Sequence, residues 1–205
     1  MGGVSYGMRN STLINIENPA GLTALDSKRL LTELSIFAKN ESYTSGSSSN
    51  QAFTGSFSAL MLGGRVIPRW YMAVSLTPYS SVGYYFHSSQ PIEGAPHENY
   101  AAAFTGSGGI SKVSWSNAYL LSRHWSLGAN ISYLFGNIVL SELQSDLVVE
   151  KRMHARSLYA NLGIQYHRAL THDLSYTWGV VYGYRQKLNI TNRKYIVNDK
   201  TQDKK

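Results

Sequence analysis

The chain has 205 residues, 43% of them hydrophobic and 12% aromatic, but only 15% charged, against roughly 25% in an average soluble domain. That length allows one large β domain or at most two small ones, and the apolar content is enough to offset the ordering entropy that leaves polar chains disordered. No run approaches the ~18 uninterrupted apolar residues of a spanning helix, and a cysteine count of zero excludes disulfides, thiolate metal sites, iron–sulfur clusters and cysteine nucleophiles.

The net charge of +7 comes from 19 Lys and Arg against 12 Asp and Glu. Many of the cations lie in the tail (Arg185, Lys187, Arg193, Lys194, Lys200, Lys204, Lys205) or in connections (Arg65, Arg69, Lys151, Arg152, Arg156). They form no dense patch with interleaved aromatics, so nucleic acid is not an expected partner. Met1 to Leu25 has neither the basic start nor the apolar stretch of a secretory signal, so the signal has been removed or the start is internal.

Residues 1–28 are not strand-like. They contain Asn18-Pro19-Ala20-Gly21-Leu22 and a short helical turn capped by Asp26 or Ser27, and they read as a hatch or plug segment packed inside a barrel. From 29 to 190 the signal is period two, the mark of strands with unlike faces. Its clearest stretch is Trp125 to Gly136, where Trp125, Leu127, Ala129, Ile131, Tyr133 and Phe135 share one face and Ser126, Gly128, Asn130 and Ser132 the other. Leu158–His167 and Leu174–Arg185 repeat it, and weaker versions run over Leu30–Lys39, Ala52–Gly63, Tyr71–Phe86 and Ile110–Leu121. That makes seven strands. Residues 191–205 read as a charged tail.

The face opposite the aromatics carries Ser, Gly, Asn, Thr and Gln and no acidic residue in the three clearest strands. A soluble sheet would place Lys and Glu there, whereas small neutral groups suit a barrel lumen. Trp125, Ile131, Tyr133, Leu162, Trp178 and Tyr182 are therefore expected to face lipid, and Asn130, Ser132, Asn161 and Thr177 the lumen. Connections alternate between short turns (Gly64–Trp70, Ser122–His124, Arg168–His172) and long loops (Tyr43–Asn50, His87–Ser107, Asn137–Arg156). The expected fold is all-β: an antiparallel transmembrane β-barrel, incomplete because an odd number of strands cannot return the chain to its starting side.

The segment Asn18-Pro19-Ala20-Gly21-Leu22, the stretch Leu76-Thr77-Pro78-Tyr79-Ser80-Ser81-Val82-Gly83-Tyr84, and Gly106-Ser107-Gly108-Gly109-Ile110 followed by Trp125-Ser126-Leu127-Gly128-Ala129-Asn130 resemble outer-membrane transporters of the long-chain fatty acid and aromatic hydrocarbon family (FadL/TodX-like), in its N-terminal half only. The resemblance implies that Asn18, Pro19 and Ala20 belong to a hatch, that a hydrophobic small molecule is the ligand, and that the Gram-negative outer membrane is the location. A non-transporting barrel serving as scaffold, adhesin or secretion-complex subunit is the alternative. The lipid bilayer is an expected partner in both, with a barrel-completing or accessory protein alongside.

No enzymatic signature emerges. The six histidines form no metal-ligand pairs at useful spacing, Gly106 to Lys112 fits neither phosphate-binding glycine pattern and reads as a kinked strand, and no Gly-x-Ser-x-Gly elbow marks a nucleophile. No cofactor, metal or catalytic residue is expected.

Overall fold

The computed structural model describes residues 4–45, 48–92, 95–144, 147–171 and 174–198. Two short 3₁₀ turns, Val4–Gly7 and Pro19–Ala24, precede eight strands: β1 Leu30–Ser45, β2 Ser48–Ile67, β3 Trp70–Ile92, β4 Ala95–Leu120, β5 Trp125–Gln144, β6 Leu147–Ala169, β7 Ser175–Gly183 and β8 Asn189–Asn198. The first seven neighbour one another in chain order, and β8 pairs with β6. The β1–β2, β2–β3, β6–β7 and β6–β8 ladders are antiparallel, and the fold is an all-β sheet built from consecutive hairpins, the arrangement that short connections permit.

The expected strands are present, but they are longer than the alternation indicated. Tyr43–Asn50, expected as a loop, continues the β1–β2 ladder as Tyr43↔Asn50, Thr44↔Ser49 and Ser45↔Ser48. The other two expected loops are likewise mostly strand, in β3–β4 and β5–β6. Backbone pairing can hold a polar stretch as strand without any alternation in its side chains, so period two does not mark it.

A second correction concerns residues 189–198. They form β8 instead of opening a charged tail, from Arg156↔Asn189 to Leu147↔Asn198, while β7 pairs with β6 from Asn161↔Gly183 to Ala169↔Ser175. Side chains replace ladder partners in the interval. The Gln186 carboxamide donates to the Ala160 carbonyl at 2.9 Å and accepts from its N–H at 3.1 Å. Ser157 Oγ donates to the Lys187 carbonyl at 2.8 Å and accepts from Asn189 N. Both strands run antiparallel to β6.

The chain divides into two compact units: Met1–Pro78, Lys112–Tyr133 and Leu158–Gln186, and Tyr79–Ser111, Leu134–Ser157 and Lys187–Lys205. In the second, Phe86 stacks on Phe104 with centroids 5.0 Å apart, and Gly108 takes φ +108 where a Cβ would meet the Asn137 carbonyl, so glycine at the expected kink is a steric requirement.

The first unit holds the core. Ile14, Leu22 and Leu25 of the N-terminal segment pack with Ala59, Met61, Tyr71, Ala73 and Ala118 of β2, β3 and β4. Its β2–β3 hairpin turns through Pro68-Arg69, and Arg69 sits at φ 70, a left-handed conformation that costs a residue with a Cβ. Arg69→Gly is expected to raise stability by about 0.5–1 kcal/mol, read as a higher urea midpoint with an unchanged slope.

Candidate functional site

Within the first unit the two sheet faces are inverted relative to a water-soluble sheet. Leu60, Leu62, Val74, Trp115, Tyr119, Leu127, Ile131, Leu162, Val180 and Tyr182 are exposed, and Trp178 is 72% exposed. The opposite face, with Ser75, Ser114, Ser116, Ser126, Asn130, Ser132 and Gln165, is buried. The separation expected for Ile131 and Asn130 is 51% against 4% exposure. Burial of small polar groups requires hydrogen-bonding partners, and the N-terminal segment supplies many of them.

Asn18 is wholly buried. Its Oδ1 accepts from Ala20 N at 3.1 Å, capping the Pro19–Ala24 turn, and its Nδ2 donates to the carbonyls of Tyr6 at 2.8 Å and Ile164 at 3.3 Å. Proline leads the turn because the first N–H needs no partner and its φ is already set. Pro19 and Ala20 are buried beside β5 and β6. Asn15 organises the preceding loop, donating to the Ser5 and Met8 carbonyls and accepting from Glu17 N and Asn18 N.

The strands answer with their own polar groups. Gln165 of β6 donates to the Tyr6 and Met8 carbonyls at 3.1 and 3.2 Å and accepts from Arg9 at 3.0 Å. Asn130 of β5 donates to the Ile16 carbonyl at 2.8 Å, and Thr23 and Ser126 share a hydroxyl hydrogen bond at 2.7 Å. Arg9 also reaches Thr23 Oγ1 and Ser126 Oγ. Burial pushes the Arg9 guanidinium below its ordinary range, with Tyr71 acting weakly the other way, yet arginine stays charged. This cation is thus held by neutral oxygens fixed by β5, β6 and the segment.

Three glycines make the seat. A Cβ on Gly128 would lie 2.3 Å from Ala20 N, one on Gly163 2.2 Å from Asn18 Oδ1, and one on Gly179 1.8 Å from the Tyr6 carbonyl oxygen. Asn18, Pro19 and Ala20 lie in this seat together with Arg9, Asn15, Thr23 and Gln165, four residues that the sequence alone does not single out. The available signal was Gln165 and these glycines on one face of strands whose other face is apolar. Replacing Arg9 by Met is expected to cost about 1–3 kcal/mol, because the Gln165 oxygen loses its charged donor in a buried site; chemical denaturation in detergent measures it.

His167 Nδ1 lies 3.0 Å from Thr177 Oγ1 and the ring of His124 stacks on Tyr166; His172 lies outside the described residues. Among the described residues no group of three or more His, Asp or Glu side chains is placed to hold a metal. The arrangement is one of structural seating.

These features define a class: an antiparallel sheet with an apolar exposed face whose polar face is filled by its own N-terminal segment. The chain belongs to the BamG family, whose model matches residues 1–205. Membership places it among outer-membrane-associated proteins of Gram-negative bacteria. No curated protein and no solved structure matches it. The family match overturns the resemblance to long-chain fatty acid and aromatic hydrocarbon transporters, and with it the reading as a transporter of hydrophobic small molecules. That resemblance rested on an Asn-Pro-Ala run and glycine spacings. Their physical tasks here, capping a proline-led turn and admitting a close-packed backbone, are not particular to transport.

Proposed function

We propose that this protein is a non-enzymatic outer-membrane subunit associated with the barrel-assembly (BAM) complex, its first-unit strands crossing the bilayer and residues 4–28 bracing their inner face as a fixed plug. The family supports the complex. The reading is carried above all by the inversion of faces: aromatic and branched side chains exposed, neutral polar ones buried. In water such a surface is an association or aggregation liability; in hydrocarbon it is the required one. The first-unit parts of β3, β4, β5 and β6, residues 70–78, 112–120, 125–133 and 158–169, match the ~9–11 residues that cross a bilayer.

The N-terminal segment fits a brace better than a gate. Opening it would break the apolar contacts on β2 to β4, the hydrogen bonds from Arg9 to Ser126 and Gln165, and those from Asn130 and Gln165 to the segment's carbonyls, each worth about 0.5–1.5 kcal/mol. The test is an affinity-tagged chain recovered from native outer membranes in mild detergent. Co-migration with the barrel-assembly machinery on a native gel, and lower levels of newly folded barrels on depletion, are expected. A chain that migrates alone and whose depletion leaves barrel levels unchanged overturns the assignment.

A further inference from the structure

On the outer face of β5, β6 and β7 a groove of about 480 Å³ is lined by Trp125, Ile164, Tyr166, Tyr176, Trp178 and Val180, within the size range of small-molecule sites. It is apolar at its floor and aromatic toward the short turns, where Trp125 and Tyr166 lie 4.8 Å apart and Tyr166 and Tyr176 5.9 Å apart. Just beyond come cations. Arg168 pairs in register with Tyr176, so both project from the same face, and Arg168 lies two residues, on the order of 7 Å, past Tyr166. His124 stacks on Tyr166 from the β4–β5 turn beside Arg123. The described residues of these strands, 112–133, 158–171 and 174–186, contain no Asp or Glu; Asp173, in the β6–β7 connection, lies outside the described residues.

We infer that this groove is a binding site for one anionic glycerophospholipid, its acyl chain against Ile164, Val180 and Trp178 and its phosphate against Arg168 and the His124 turn. The order of chemistry matches along the site: branched aliphatics for the chain, phenol hydroxyls at the depth of the ester carbonyls, and a guanidinium for the phosphate, which it can engage with two parallel N–H bonds. A protein helix or strand would need no cation at one end. The inference rests on the membrane reading above, since the face must meet lipid.

The test uses the full chain reconstituted in phosphatidylcholine vesicles, with Trp fluorescence quenched by acyl-brominated lipids. Brominated phosphatidylglycerol is expected to reach half-maximal quenching at a several-fold lower mole fraction than brominated phosphatidylcholine. Arg168→Gln should lower that preference by roughly fivefold, the worth of one basic side chain at a lipid surface, while Arg168→Lys and the distant Lys39→Gln keep it. Native mass spectrometry should show one retained anionic lipid per chain. Equal quenching by both brominated lipids, or an Arg168→Gln preference matching the parent, overturns the site while leaving the membrane reading intact. No quenching by either lipid overturns both.

Discussion

A Gly179→Val substitution is expected to expel the start of the N-terminal segment from the sheet. Valine favours strands, so β7 considered alone predicts a small gain, and the sign of the result separates strand propensity from seating. The Cβ of residue 179 would stand 1.8 Å from the Tyr6 carbonyl oxygen, 2.5 Å from its carbon and 2.9 Å from Asn18 Nδ2. The first two are backbone atoms and cannot swing aside. Tyr6 O accepts from both Asn18 Nδ2 and Gln165 Nε2, so moving it removes two hydrogen bonds at about 1 kcal/mol each and leaves each buried amide nitrogen with a single acceptor, the Ile164 and Met8 carbonyls. With the lost packing, the total should exceed about 4 kcal/mol, which few single substitutions reach. Gly83→Val is the control, because a Cβ there meets nothing within 4 Å, and it should be neutral or mildly stabilising. Limited proteolysis reads the outcome: cleavage between residues 4 and 28 in the Gly179 variant, with the strands still protected. Protection equal to the parent's would show that the segment is not seated by these contacts.

The strands closest to the segment were the most legible in the sequence, and for one physical reason. In β5 the burial alternates residue by residue between Leu127 or Ile131 outside and Ser126 or Asn130 inside, and such two-environment strands write period two into the chain. The end of β1, the start of β2, the end of β5, the start of β6, and β8 lie outside the apolar core and are held by backbone pairing, so their residues need not alternate. Their Ser-, Asn- and Lys-rich composition then reads as loop. The break between β7 and β8 was illegible for another reason: it depends on Gln186 and Ser157 mimicking a ladder, and nothing local distinguishes such a Gln from any other.

The site was half legible. Asn18-Pro19-Ala20 announces a capped turn, which is a local property. Arg9 finding Gln165, 156 positions away, is a tertiary property without local trace, and Arg9 reads in isolation as one more surface cation. The family was misread because short motifs report what a backbone must do at a turn or a close approach. Several functions can be mounted on the same solution.

Arginine at Ile131 tests where the apolar face lives, because water and lipid give answers that differ in size. Ile131 is half exposed on the outer face of β5. If that face met water, Ile131→Arg would be an ordinary surface change, within about 0.5 kcal/mol of the parent. In a bilayer the same substitution places a guanidinium near the midplane: six residues beyond Trp125, at ~3.3 Å each and a tilt of about 45°, is roughly 14 Å of depth. A midplane arginine in a barrel wall costs about 2–4 kcal/mol, falling to 0–1 near the interface. Leu174→Arg, at an exposed residue of the β6–β7 turn, therefore supplies the shallow reference and should lose less than about 1 kcal/mol. Equilibrium unfolding in vesicles of both variants gives the difference directly. A gap of about 1–4 kcal/mol between them is the expected result, and it should vanish in a detergent whose micelle lets the guanidinium reach water. Equal stability in vesicles would remove the bilayer from the account of this surface and leave a protein partner to cover it.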